Sequence, residues 1–451
     1  MRFLKTNLNT LPCVKRVDQA AMKQMHKSRA PSSLHAFLNK YSFLTSVNLL
    51  SAMAVLSSVS FTTLALQTQD VAALVAQNKA NFGQCLEGKK VEALNAGVNP
   101  SRVNAEFDRF TFIPRVIELD RSQPEFVSTF PNYFSKRVNE WRITKGREKY
   151  AEHREFLRTL TDQYGIPGHY LISFWGLETN YGGFKGTMST LDSLATLACD
   201  ERRSRFFSNE LFLALKLMDS QGLNREEMQG SWAGAMGHTQ FMPTTYTNYA
   251  IDGDGDGKID LWESEKDALA SGANFLWQLG WQPGLRWGRE VKLPQGFDFQ
   301  LANDEVKTII QWKALGIVKG DGSLLPNSDI ESRLRVPAGH QGPAFLTYAN
   351  FRTIMRWNNS EFYAIAVGKL ANQIAGGAGL HATLPDLPSF KISDIVKLQN
   401  KLNELGYNVG GADGIMGSAT REGIRQFQAK NSLVADGFPS PSTVDTVLNT
   451  R

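Results

Sequence analysis

Cysteine is nearly absent from this chain: Cys13, Cys85 and Cys199 are the only three in 451 residues. There is no C-x-x-C pair and no H-E-x-x-H, and histidine is scarce, with seven in all. A zinc centre therefore finds no ligand set at the short spacings it needs. Charge of one sign is missing too. The formal charge is +5, but eight basic residues against the single Asp18 fall within residues 1–66. The other 385 residues carry a net −2, so a phosphate-binding surface loses its support and no nucleic-acid partner is expected. After residue 66 no stretch is apolar enough to span a bilayer. Hydrophobic residues at 42% and charged ones at 21% exclude a disordered or collagen-like chain. At about 150 residues per domain the length predicts two to four domains.

What is present begins with a leader. No charged residue lies between Lys40 and Asp70, and Phe43 to Val59 is mostly apolar, with basic residues before it and small ones after. This is the layout of an export signal, with Thr63-Leu64-Ala65 as the cleavage site and Met22 or Met25 as alternative starts. The competing reading is an uncleaved anchor over residues 43–65, the one route to a membrane. Removing the leader leaves Cys85 and Cys199, which in an oxidising compartment form either a disulfide or two separate buried thiols.

Along the remaining chain, residues 67–165 read as helical, with Val71, Leu74, Val75, Phe82 and Leu86 at helical spacing. Residues 166–284 are glycine-rich, with short helices broken by loops. Short alternating stretches such as Glu290-Val291-Lys292-Leu293 predict a small β-rich insertion over 285–343. Residues 344–375 return to helix within a core segment that runs to 381, 382–389 form a proline-bearing linker, and 390–451 form a separate module. The expected class is α+β and mainly helical.

Two runs carry chemistry. The first, Gly176-Leu177-Glu178-Thr179-Asn180-Tyr181-Gly182-Gly183, follows the apolar Leu171-Ile172-Ser173-Phe174-Trp175. A carboxyl held against Trp and Phe loses solvation when charged, so Glu178 is expected to stay protonated and act as a general acid. Read alone, it is more readily a surface residue in a turn, since one Glu does not make an active site. The second run extends from Gly230 to Tyr246, where Ser231 and Gln240 offer neutral groups suited to hydroxyls and acetamides. Read alone, its Gly, Ala and Met content is ordinary helix packing.

Together, as G-x-E-T-x-Y-G and then S-x-A-G-A-M-G-x-x-Q-F-M-P, the runs resemble the lytic murein transglycosylases of the membrane-bound B family over residues 75–375. The resemblance implies a lysozyme-like core that cleaves peptidoglycan, with Glu178 as catalytic acid and base. It implies Ser231, Gln240 and Tyr181 along the groove. Asn350-Phe351 through Ala364 matches a later motif and implies Asn358 and Tyr363 as site residues; the family has Tyr before that Asn, whereas this chain has Trp357. Arg202 and Arg203 match paired arginines that would face substrate carboxylates. The alternatives to a lytic transglycosylase are a hydrolytic muramidase and a non-catalytic wall-binding scaffold. Ordinary glycosidases use two carboxylates, and no second acid lies near either run.

Asp252, Asp254, Asp256, Lys258 through its carbonyl, Asp260 and Glu263 occupy positions 1, 3, 5, 7, 9 and 12 of an EF-hand loop, with Gly257 at the sharp turn. They predict a structural Ca2+ and no organic cofactor. Finally, Leu398-Gln399-x-x-Leu402, Asp413-Gly414-x-x-Gly417-x-x-Thr420 and Phe427-Gln428 resemble the type 1 peptidoglycan-binding domain over 392–448, a three-helix module with Leu398, Leu402 and Phe427 as core and Asp413 and Thr420 as caps. The implied setting is the periplasm, with glycan strands as partner and cell-wall synthesis or division complexes as further candidates.

Overall fold

The computed structural model describes residues 62–122 and 128–451. The basic and apolar parts of the leader, residues 1–61, lie outside the described residues. The helix Thr62–Asn95 begins inside the last part of that segment and runs for 34 residues. No helix among the described residues is long and apolar enough to cross a membrane.

The architecture is α+β and mainly helical, with seventeen α-helices and seven short strands among the described residues. Its centre is the helix Gly168–Thr179 (GHYLISFWGLET), in which Tyr170 to Leu177 are all buried. A helix apolar on every side belongs in a core, and this one is packed against Glu140–Glu152, Arg154–Tyr164, Glu265–Gln278 and Glu361–Ile374. It stops at three successive left-handed residues, Asn180 (φ 52°), Tyr181 (φ 60°) and Gly182 (φ 80°). Asn is tolerated there and Gly is free, whereas a left-handed Tyr is strained. A second core lies around Thr190–Ala198 and Ser204–Gln221, with Leu194, Leu211, Leu215 and Met236 fully or almost fully buried. Trp357 packs against both cores.

The strands form two antiparallel sheets. β1 (Met188–Ser189) pairs with β2 (Gln229–Gly230). β3 (Gly288–Lys292), β4 (Lys307–Thr308), β5 (Val318–Lys319), β6 (Glu331–Arg335) and β7 (Ala344–Thr347) form one sheet in the order β4-β6-β7-β3-β5. Its own core holds Trp312, Leu334 and Leu346. β7 falls where helix was expected to resume. Its four residues are buried and pair on both sides, Leu346 with Arg289 and with Leu334, so helix restarts only at Ala349.

The C-terminal helices Ile392–Glu404, Ser418–Lys430 and Pro441–Asn449 surround Leu398, Leu402, Ile424, Phe427 and Val447. The module contains a repeat that the sequence reading missed. Gln399 Nε2 donates to Asp413, Ile415 O and Thr420, while its Oε1 accepts from Gly414 N. Gln428 does the same with Asp436, Phe438 O, Thr443 and Gly437 N. Asp413 and Thr420 are thus parts of a clasp around a buried glutamine. The module also lies against the five-stranded region. His340 donates its backbone N–H to Asp436 at 2.9 Å, its ring Nδ1 lies 2.6 Å from the same oxygen, and Arg425 donates to Ala302 O at 2.6 Å.

Candidate active site

Glu178 sits in the last turn of the central helix and lines a small cavity together with Leu171, Phe174, Trp175 and Trp357. Both polar contacts of that carboxyl fall on one oxygen. Trp357 Nε1 donates to Oε1 at 2.9 Å and Tyr363 Oη donates to it at 2.5 Å. Burial raises the Glu178 pKa above the usual carboxylate range, and the donors Tyr363 and Trp357 and the charge of Arg137 oppose it without cancelling it. Tyr363 is pushed well above its ordinary value by burial and by Glu178, so its hydroxyl stays protonated and donates. The result is a carboxyl biased toward its neutral form, with Oε1 engaged and Oε2 without a hydrogen bond among the described residues.

The second run is tied to this helix through His238. Trp175 Nε1 donates to His238 Nδ1 at 2.9 Å, and Thr179 Oγ1 donates to His238 O at 3.2 Å. Burial holds the His238 pKa down at about 4, which keeps the ring neutral and Nδ1 available as an acceptor. Gln240 is left-handed (φ 50°). Its Nε2 donates to Lys185 O and Gly237 O, leaving Oε1 as an open acceptor among the described residues. Ser231 Oγ accepts from Ala233 N and Ala235 N and remains part-exposed. Asn358 is exposed at the end of the helix Ala349–Trp357.

Three expected site residues are placed differently. Tyr181 is only 5% exposed and donates its hydroxyl to Arg142 O at 2.6 Å. Its ring fills the space that a Cβ on Gly146 or Gly176 would occupy, so it is a packing residue of the turn after Glu178. Arg202 and Arg203 both pair with Asp120, which is 1% exposed. Arg121 joins Asp120 to Asp200, and Asp200 accepts from Asn78. The paired arginines therefore neutralise buried carboxylates, and none of their partners belongs to the Glu178 cluster. Next to this network the structure joins Cys85 to Cys199.

The reading of the sequence missed Arg142. Its buried guanidinium donates to Gly176 O, Lys136 O, Arg137 O and Asn180 Oδ1. It joins the end of the helix Phe130–Arg137 to the helix that carries Glu178. Nothing in the local sequence E-W-R-I marks it.

In the acidic loop, carboxylate oxygens of Asp252, Asp254 and Asp256 lie within 4.8 Å of one another. Asp252 accepts from Gly255 N and Gly257 N, which depresses its pKa, the Gly257 bond foremost. Asp260 accepts from Trp262 N and Glu263 N, while Glu263 is exposed and 3.2 Å from Lys185. Hard oxygen donors gathered on one turn fit a calcium ion. A second missed residue closes this loop: buried Asp267 accepts from Gly253 N and Asp260 N, both at 2.7 Å.

The model of the transglycosylase SLT domain matches residues 81–372, more than half of the chain. The chain belongs to the SLT transglycosylase family. It is thereby a lytic transglycosylase, of a family of enzymes acting on peptidoglycan. A peptidoglycan binding domain model matches residues 392–447 of this SLT transglycosylase. Among curated relatives, membrane-bound lytic murein transglycosylase B of Escherichia coli (strain K12) is 33% identical over 249 residues, covering 54% of this chain and 66% of that protein. Among solved structures, SltB3 of Pseudomonas aeruginosa in complex with NAG-anhNAM-pentapeptide is similar at a TM-score of 0.77 and 40% identity, covering 81% of this chain and 99% of that one. The Escherichia coli transglycosylase Slt35 in complex with calcium gives 0.57 and 27%, covering 64% and 92%.

Proposed function

We propose that this SLT transglycosylase cleaves the β-1,4 bond between N-acetylmuramic acid and N-acetylglucosamine and leaves 1,6-anhydro-muramic acid ends, with Glu178 as acid and then base. One observation carries the reading: a single buried carboxyl, its pKa raised by burial, with its Oε1 fixed by Trp357 and Tyr363. Oε2 gives its proton to the glycosidic oxygen, and the C1–O bond breaks. The acetamide of the muramic residue shields the cationic C1 in place of the second carboxylate of ordinary glycosidases. Glu178, now ionised, takes the proton of the C6 hydroxyl, O6 bonds to C1, and the acid is restored without water entering. Ser231, Gln240 and Asn358 supply neutral contacts along the groove.

The acidic loop holds a structural Ca2+ through Asp252, Asp254, Asp256, Asp260, Glu263 and the Lys258 carbonyl, and the ion neutralises their mutual repulsion. The C-terminal module binds the wall and raises the local concentration of an insoluble substrate. The leader exports the protein to the periplasm, an oxidising compartment suited to the Cys85–Cys199 bond.

The test is mass spectrometry of the soluble products released from purified sacculi. Muropeptides ending in 1,6-anhydro-muramic acid are expected. Products heavier by one water would establish hydrolysis, and binding without release would leave a scaffold.

A further inference from the structure

Two guanidiniums stand near Glu178 without a carboxylate partner among the described residues. Arg142 is buried, and its donors go to three carbonyls and one amide oxygen. Arg137 is exposed, lies over the Tyr133 ring at 5.6 Å, and is close enough for its charge to act on both Glu178 and Tyr363. Apart from Glu178, no carboxylate among the described residues pairs with either guanidinium.

Arg137 is also held in place. Arg142 bonds the carbonyls of Lys136 and Arg137 at 3.1 and 2.6 Å and that of Gly176 at 3.0 Å. The last turn of the Phe130–Arg137 helix is thereby fixed two residues from Glu178. On the other side, Phe130 and Tyr133 pack on Phe362 with ring centroids 5.4 and 6.0 Å apart, one residue before Tyr363. A guanidinium is always charged and offers a planar pair of donors matched to a carboxylate. Arg202 and Arg203, the arginines the sequence offered for that role, are already paired with Asp120.

We infer that Arg137 binds a carboxylate borne on the muramic acid branch of the glycan, beside the bond that Glu178 cleaves, and so makes the enzyme prefer anionic strands. This inference rests on the glycan-cleaving reading above. The carboxylate has two possible sources, the lactyl group of the sugar itself or the peptide attached to it.

Calorimetric titration of the full chain separates these with three ligands: NAG-anhNAM-pentapeptide, the same disaccharide without its peptide, and tri-N-acetylchitotriose, which has no carboxylate. Arg137→Ala is expected to weaken binding of the muramic ligand that bears the contacted carboxylate about tenfold, the worth of one charge-assisted hydrogen bond, and to leave chitotriose unchanged. Arg137→Lys recovers part of the loss. A loss confined to the pentapeptide ligand assigns the peptide carboxylate, and a loss confined to the peptide-free disaccharide assigns the lactyl group, whose carboxyl is an amide once the peptide is attached. Unchanged affinity, or an equal loss on all three ligands, would overturn the inference. So would an equal loss from Arg421→Ala, because Arg421 lies over Phe362 at 5.9 Å from the C-terminal module and reports only a diffuse field. The titration needs no turnover. Absence of anhydro products from sacculi would therefore count against the proposed reaction alone.

Discussion

The indole N–H of Trp357 donates to Glu178 Oε1 at 2.9 Å, at the position where the sequence resemblance implies a tyrosine. The indole ring itself sits among Phe174, Phe241 and Phe275, at centroid distances of 4.5, 5.4 and 5.2 Å. One side chain therefore joins the two cores and holds the acid. A donor to the ionised carboxylate lowers its pKa, so removing the donor raises it. Trp357→Phe keeps an aromatic ring and loses the N–H. The alkaline limb of the kcat/KM profile, where the acid form is lost, should move up by about one pH unit. Trp357→Tyr, which restores a donor, should bring it back. An unmoved limb in Trp357→Phe would reduce Trp357 to packing.

Glu178→Gln should reduce release of soluble muropeptides by about 10³-fold or more, since one group serves both proton transfers. It should also alter stability with a definite sign. The folded-state pKa of Glu178 lies above the unfolded value, so its contribution is fully present below the unfolded value. That contribution is lost as pH rises through the folded pKa. At neutral pH the variant escapes this loss, and its Tm should equal or exceed that of the wild type. Melting curves between pH 4 and 8 check this; a Tm that falls below wild type at neutral pH would mean the carboxylate is stabilising.

The Cys85–Cys199 bond closes 114 residues of chain and fixes the long helix Thr62–Asn95 to the residue after Thr190–Ala198. A crosslink over so long a loop restricts the unfolded chain, by about 4 to 5 kcal/mol in the chain-entropy account. Urea unfolding with and without reductant should give a midpoint that falls on reduction, and Cys85→Ala should reproduce the lower midpoint without reductant. Equal midpoints would show that the neighbouring Asn78–Asp200–Arg121 contacts already hold the segment.

Legibility in the sequence followed the range of the interaction. The helical class and the β-rich insertion were readable from local periodicity, and the place of Glu178 at the end of a buried helix was readable because it follows an apolar run. The fate of Arg202 and Arg203 depends on Asp120, 82 and 83 residues away, and no local pattern reveals such a partner. Tyr181 sits in a glycine-rich motif that resembles a groove, yet Gly146 and Gly176 leave room for its ring to turn inward. β7 reads as the start of a helix because Ala-Phe-Leu-Thr lacks the apolar–polar alternation of a half-exposed strand; only pairing on both edges decides it. The paired clasps of Gln399 and Gln428 escaped notice because their glycine turns lie at unequal distances, 15 and 9 residues on.

The acidic loop yields the last prediction. Asp252, Asp254 and Asp256 lie on one exposed turn, with left-handed glycines at 255 and 257 aiming two backbone N–H groups at Asp252. Those bonds keep Asp252 ionised, so the three carboxylates repel one another unless a cation lies between them. Asp267 and Ser264 hold the loop ends from the following helix, Ser264 Oγ donating to Asp254 at 2.8 Å. A cation that binds only the folded loop adds stability by mass action, about 2.7 kcal/mol at one hundred times its dissociation constant. Calcium should therefore raise the Tm of chelator-treated protein, and Asp252→Asn should remove most of that response while leaving the chelated Tm nearly unchanged. If the Tm is the same in calcium and in chelator, and calorimetry records no heat of binding, the N–H groups alone stabilise the turn and the ion has no part in it.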